Sequence, residues 1–190
     1  MRCFIAIDID NEIRKGLADL QDELQAEADS GRGDVKWVEP QSVHLTLKFL
    51  GEIKDNQLVE ISNIVKDVAS RHKDFSLDVK HVGSFGGSSA RVLWVGAGED
   101  CPQLLQLQAE LEEQLEVAGW PKEARQFAAH LTLCRIKNAK AGFKMSQLAE
   151  QYKDSDLGSL AVDSVCVYES QLRPEGPVYT LLGRYRLQVG

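Results

Sequence analysis

Two stretches of this chain share one frame, HLTLKFLG from His44 and HLTLCRIK from His130. The sequence holds only four histidines and three threonines, and two of each stand at the same places in an identical tetrapeptide. A single His-x-Thr in a strand is ordinary packing, because a β-branched threonine suits a pleated surface. Its recurrence among residues this rare points to chemistry.

Side chains alternate along a strand, so His44, Thr46 and Lys48 are expected on one face and Leu45, Leu47 and Phe49 on the other. The second frame sets His130, Thr132 and Cys134 against Leu131 and Leu133. The leucines fit a core, and the His-Thr pairs face away from it. If the two strands lie side by side about a pseudo-twofold axis, two imidazoles and two hydroxyls converge on one cleft. An imidazole titrates near pH ~6.5, so one of a facing pair can hold a proton while the other accepts one. The threonine hydroxyls would donate to phosphate oxygens as charge develops on them. Arg135 could add a fixed positive charge.

Other chemistries are less well supplied. Two histidines make half of a tetrahedral metal site, no HExxH or cysteine pair is present, and threonine is a poor zinc ligand. His72 reads as a solvated helix end and His81 as an ordinary strand residue within DVKHV. Cys134 lies too far along the strand to be a nucleophile activated by His130, and packing explains it better. The Gly86-Gly87-Ser88-Ser89 loop lacks the lysine and helix start of a P-loop. No metal and no cofactor is expected.

The elements that must position these frames follow from hydrophobic period. Residues 2 to 9 alternate as a mostly buried strand. Ile13, Leu17, Leu20 and Leu24 make a helical stripe between Asn11 and Ala28, capped by Asp10 or Asn11 and ended by Ser30-Gly31-Arg32-Gly33. VKWVEP and VHLTLKFLG are strands. A second helix opens at Asp55 or Asn56, carries Leu58, Ile61, Val65 and Val68, and ends near His72 and Lys73. FSLDVKHVGSF and ARVLWVGAG form a hairpin across the glycine-serine loop. A third helix is expected from about Pro102 to Ala118, HLTLCRIK as a strand, a short helix over about 144 to 152, and two closing strands, LAVDSVCVYESQL and VYTLLGRYRLQ. Strands and helices without strict βαβ alternation favour α+β with antiparallel pairing. Each half has a helix, an HLTL strand, another helix and a hairpin, a pseudo-duplicated plan.

The 190 residues, 43% hydrophobic and 27% charged, suit one folded domain spanning 1–190. The start lacks a signal-peptide pattern and no stretch is long enough to span a bilayer. Four scattered cysteines read as reduced thiols of a cytoplasmic protein. A net charge of −7 argues against coating long nucleic acid. From Lys122 to Lys144, however, Lys122, Arg125, Arg135, Lys137, Lys140 and Lys144 stand against Glu123 alone, either a solvated face or a contact for RNA phosphates.

With its paired HLTL motifs at 44 to 47 and 130 to 133, the chain resembles the two-histidine, or HxTx, phosphoesterases. More closely it is similar to their RNA 2′,3′-cyclic phosphodiesterase branch, historically called 2′-5′ RNA ligase. RCFIAIDI at the start, VKWVEPQSVHLTLKFLGEI, the glycine-rich loop before RVLWVG and the closing strands all share in the likeness.

The resemblance implies a bilobal α+β fold of antiparallel sheets flanked by helices, with both motifs on the floor of a central cleft. It implies metal- and ATP-independent opening of an RNA-terminal 2′,3′-cyclic phosphate to a 2′-phosphate, the 3′ oxygen leaving, with 2′-5′ ligation as the reverse. His44 would be the proton donor and His130 the acceptor that activates water. Thr46 and Thr132 would hold the non-bridging oxygens, Arg135 would lie near the phosphate or terminal nucleotide, and Phe49 beside the base. Phe49 and Arg135 stand at odd offset from their histidines, so simple alternation turns them away from the cleft. Partners implied are RNA ends, tRNA fragments among them, or small cyclic-phosphate nucleotides; no membrane; a monomer. The alternatives are a relative acting on small cyclic nucleotides and a non-catalytic module that binds RNA ends.

Overall fold

The computed structural model describes residues 1–28 and 33–190. In chain order the elements are β1 (Arg2–Asp8), α1 (Asn11–Ala28), β2 (Val35–Trp37), a 3₁₀ turn (Pro40–Ser42), β3 (His44–Glu52), α2 (Asp55–Arg71), β4 (Phe75–Phe85), β5 (Val92–Ala97), α3 (Pro102–Val117), β6 (His130–Ile136), α4 (Ala139–Gln151), β7 (Asp156–Val162), β8 (Ser164–Arg173) and β9 (Gly176–Arg186). The fold is α+β, as the mixed periodicity predicts. Among the described residues no helix is long and apolar enough to cross a membrane.

The strands form two antiparallel sheets, one ordered β3-β1-β8-β9 and the other β2-β6-β5-β4-β7. In each, the HLTL strand begins a run of four, β3-β1-β8-β9 and β6-β5-β4-β7. β2 then adds a fifth strand outside β6. The two HLTL strands are therefore not neighbours in one sheet. β3 and β6 instead approach each other from different sheets.

Helix stripes close the inner faces. Ile13, Leu17, Leu20 and Leu24 of α1 are buried, as are Ile61, Val65 and Val68 of α2 and Leu104, Leu107, Leu111 and Leu115 of α3. One continuous apolar cluster joins these to Ile5, Leu45, Val95 and Leu131 from both sheets. Asp10 caps α1 through its side chain, with Ile13 N donating to Oδ1 at 2.8 Å. Of the Ser30-Gly31-Arg32-Gly33 stop, the first three residues lie outside the described ones.

Two expectations need correction. The last helix begins at Ala139, not near Lys144, because the Asn138 side chain accepts from Ala141 N (2.9 Å) and caps a turn whose small residues pack close to the hairpin loop. A β-carbon on Gly142 would lie 2.6 Å from Ala90 O, so that turn is too near the loop for a larger residue. The run LAVDSVCVYESQL is not one strand. It breaks at Asp163, with β7 pairing β4 in one sheet and β8 pairing β1 in the other. Hydropathy does not register this break, because both pieces bury apolar side chains.

Candidate active site

Each HLTL frame ends in a β-bulge at the same offset. On β3, Thr46 pairs with Ala6 and Lys48 with the next residue back, Ile5, so Leu47 is the extra residue. On β6, Thr132 pairs with Trp94 and Cys134 with Leu93, so Leu133 is extra. One inserted residue reverses the alternation beyond it. Leu47 and Lys48 are both buried, and Phe49 turns outward, 61% exposed. Leu133 and Cys134 are both buried, and Arg135 is exposed.

The expected faces of four residues are thus overturned. Lys48 and Cys134 do not share the histidine face, and Phe49 and Arg135 rejoin it. Lys48, 2% exposed, donates to Glu112 Oε2 (2.8 Å) and to Pro121 O (2.9 Å). Cys134 fills apolar space, and burial pushes its thiol up to about 12.

Two buried glutamines hold the bulges. Gln108 of α3 donates to Leu47 O at 3.4 Å, and Gln21 of α1 donates to Leu133 O at 3.0 Å and Val38 O at 2.7 Å. Each adds a donor to the carbonyl of the inserted residue, and Leu133 O also accepts from Val38 N at 2.9 Å. The sequence carries a signal for them that went unread: each stands four residues after a leucine, Leu17 or Leu104, on an otherwise apolar stripe.

The two histidines are oriented alike. His44 Nδ1 lies 3.0 Å from Ser42 O and His130 Nδ1 lies 2.6 Å from Ala128 O, in each case two residues upstream. A carbonyl only accepts, so Nδ1 carries the hydrogen and Nε2 is left to exchange a proton. Aromatic rings wall both. His44 has Tyr168 at 4.7 Å, Tyr179 at 5.4 Å and Phe4 at 6.0 Å between ring centroids, and His130 has Phe85 at 5.0 Å and Trp94 at 6.3 Å.

Their electrostatic surroundings differ. Burial is the largest influence on both and lowers both below the ordinary imidazole value. Asp8 then acts to raise His44, with Oδ1 3.6 Å from Nε2, against a smaller lowering by Arg14, while the nearby Arg135 acts to lower His130 further. Asp8 is itself held by the Tyr168 hydroxyl (2.6 Å to Oδ1) and by Arg184 (2.5 Å to Oδ2). Burial opposes ionisation of Asp8, but these two donors outweigh it and hold the carboxyl below its usual value. Sequence reasoning missed Asp8. Its signal was an acid ending the otherwise apolar alternation of RCFIAID.

Thr46 and Thr132 are half-buried on the faces of their histidines, and among the described residues neither hydroxyl makes a hydrogen bond. Tyr179 connects the two sides: its ring packs on His44, and its phenol, raised by burial, is lowered in part by Arg135. A pocket of about 420 Å³ opens beside His44, with Asp8, Arg14, Ser42, Tyr168 and Tyr179 in its wall. The other histidines stand apart. His72 Nε2 is 2.6 Å from Glu110 Oε2, a hydrogen-bonded position at the end of α2 and not a freely solvated one. His81 is not a regular strand residue; its φ of 68° marks it as the bulge between Lys80 and Val82. The run from Lys122 to Arg125 is exposed coil, with Lys122 3.1 Å from Glu116.

Two antiparallel sheets, each presenting a histidine and threonine ahead of a bulge, make this a two-histidine phosphoesterase fold. The chain belongs to the LigT-like phosphoesterase family, whose sequence profile matches residues 7–94 and 96–179, one HLTL frame in each. It is 32% identical to the RNA 2′,3′-cyclic phosphodiesterase of Methanothermobacter thermautotrophicus, over 98% of this chain and 99% of that one. It is 33% identical to the protein of the same name from Methanocaldococcus jannaschii, over 96% and 98%. Among solved structures, TT0787 of Thermus thermophilus superposes with a TM-score of 0.81 at 26% identity, covering 100% of this chain and 99% of that one. Escherichia coli LigT complexed with 3′-AMP superposes with a TM-score of 0.77 at 26% identity, covering 98% and 97%.

Proposed function

We propose that this protein hydrolyses RNA-terminal 2′,3′-cyclic phosphates to 2′-phosphates; its archaeal relatives are named RNA 2′,3′-cyclic phosphodiesterase. Water attacks phosphorus, the P–O3′ bond breaks, His130 Nε2 takes the proton from water and His44 Nε2 gives one to the 3′ oxygen. Thr46 and Thr132 hold the non-bridging oxygens, Arg135 balances charge at the phosphate, and Phe49 lies against the terminal base. Both motifs then share one cleft within a single two-lobed domain. The same groups run 2′-5′ ligation when a 5′-hydroxyl end replaces water: its oxygen attacks phosphorus, the P–O3′ bond breaks, His130 takes the proton from the 5′-hydroxyl and His44 gives one to the 3′ oxygen.

The observation that carries this reading is the matched pair of imidazoles, each with Nδ1 tied to a backbone carbonyl and Nε2 available. The carboxylate that stands beside His44 supports the division of labour, since a nearby negative charge favours the protonated form an acid needs. All proton transfers are assigned to side chains, so turnover is expected to persist in EDTA. The buried free thiols fit a reducing cytoplasm, and a site drawn from one chain fits a monomer.

The test is product analysis on an oligonucleotide ending in a 2′,3′-cyclic phosphate, with EDTA present. A 2′-phosphate should form, and His44→Ala or His130→Ala should each lower the rate by ~10²–10⁴-fold with the fold intact. Wild-type turnover by both variants would overturn the assignment.

A further inference from the structure

The pocket beside His44 has a cation in its wall that the reaction just drawn leaves idle. Arg14, in the first turn of α1, is half-buried. It donates from Nη1 to Pro40 O at 2.5 Å and from Nη2 to Ile9 O at 3.1 Å. These bonds clamp the guanidinium between the chain leaving β1 and the 3₁₀ turn that leads into His44. Carbonyl oxygens orient a charge without neutralising it. Among the described residues no carboxylate lies within ion-pair distance of Arg14. A guanidinium has five donors, so three remain. A fixed, part-buried cation with spare donors, set in a pocket, suits a phosphate.

The chemistry of the reaction says which phosphate. If His44 protonates the departing 3′ oxygen, the ribose bearing that oxygen lies on the His44 side, where this pocket opens. At about 420 Å³ the pocket is near the small end of the ~300–1,000 Å³ range of ligand sites, room for one nucleoside and its attachments. Within that nucleotide the only phosphate besides the reacting one is the group on its 5′ oxygen. Building on the cyclic phosphodiesterase reading, we propose that Arg14 binds the phosphate 5′ to the terminal nucleoside. The protein thereby selects chain ends and 5′-phosphorylated nucleotides over 5′-hydroxyl mononucleosides.

Two measurements on the intact protein decide this. In turnover, adenosine 2′,3′-cyclic phosphate carrying a 5′-phosphate should exceed its 5′-hydroxyl counterpart in kcat/KM by about tenfold, as for one charge-assisted hydrogen bond. The difference should lie in KM and shrink as salt rises. In binding, adenosine 2′,5′-bisphosphate should exceed adenosine 2′-phosphate by a similar factor, a comparison that needs no turnover. Arg14→Gln should bring both ratios to within about twofold, and Arg14→Lys should keep part of each. Equal wild-type affinity for the two binding probes overturns the proposal, as does a ratio that survives Arg14→Gln or an equal loss on both members of each pair. Failure of wild-type turnover with the binding ratio intact would instead strike at the assigned reaction.

Discussion

Asp8 Oδ1 stands 3.6 Å from His44 Nε2, the nitrogen that Ser42 leaves free. Burial lowers the His44 pKa and Asp8 works against that fall. Replacing Asp8 with Asn removes the opposing charge, so the His44 pKa drops further. A group that must be protonated governs the high-pH limb of a bell-shaped profile. That limb of kcat/KM should move to lower pH in Asp8→Asn. A pH series on a cyclic-phosphate substrate reads it, and an unmoved limb would remove Asp8 from the machinery.

Arg135 predicts the opposite movement on the other limb. Burial lowers the His130 pKa and Arg135 lowers it further. In Arg135→Gln the His130 pKa rises, and a base that must be deprotonated then becomes effective only at higher pH. The low-pH limb should shift upward while the high-pH limb holds. The loss of a phosphate contact should show separately as a higher KM.

Thr46→Val and Thr132→Val keep the β-branched shape and remove only the hydroxyl. Each should lower kcat by ~10²-fold, as expected for one donor to developing charge, with unfolding midpoints close to wild type. A loss seen mainly in KM would mean that the hydroxyls bind the ground state equally well.

Lys48 is a test of stability. Its ammonium is buried against Glu112 and Pro121 O, so Lys48→Ala strands a buried carboxylate and should cost ~3–5 kcal/mol in urea unfolding. Replacing Lys48 with Met and Glu112 with Leu together should cost less than Lys48→Ala alone, because no unpaired charge remains.

Gln21→Leu removes the donor to Leu133 O and Val38 O. Leu133 O keeps Val38 N as a donor at 2.9 Å, and leaving Val38 O without its partner should cost ~1–3 kcal/mol. Because the bulge at Leu133 aims Arg135, this variant should also raise KM, and its effect should not add to that of Arg135→Gln.

Much of the framework could be read from residue pattern. The stripes of α1, α2 and α3 give helices close to the expected bounds, since a 3.6-residue apolar period has only one way to bury itself. The hairpin of β4 and β5 follows from strand patterns broken by Gly86-Gly87. His44, Thr46, His130 and Thr132 stood out because rare residues repeated in one frame, and parity set them opposite their leucines.

Parity misleads one residue past the motif. Lys48 and Phe49, and likewise Cys134 and Arg135, exchange faces because Leu47 and Leu133 are inserted into their ladders. A bulge arises from pairing with a partner strand and from the glutamines that take up its carbonyls, contacts from far along the chain that no local period records.

The sequence by itself determined α1, α2 and α3, the α+β class and the two His-Thr pairs, because period and composition are local properties of the chain. Only the tertiary structure decided that the frames stand in separate sheets, that Phe49 and Arg135 face the site, and that Asp8 attends one histidine and Arg135 the other. Those relations depend on strand register and on charges meeting across the fold, which no local period records.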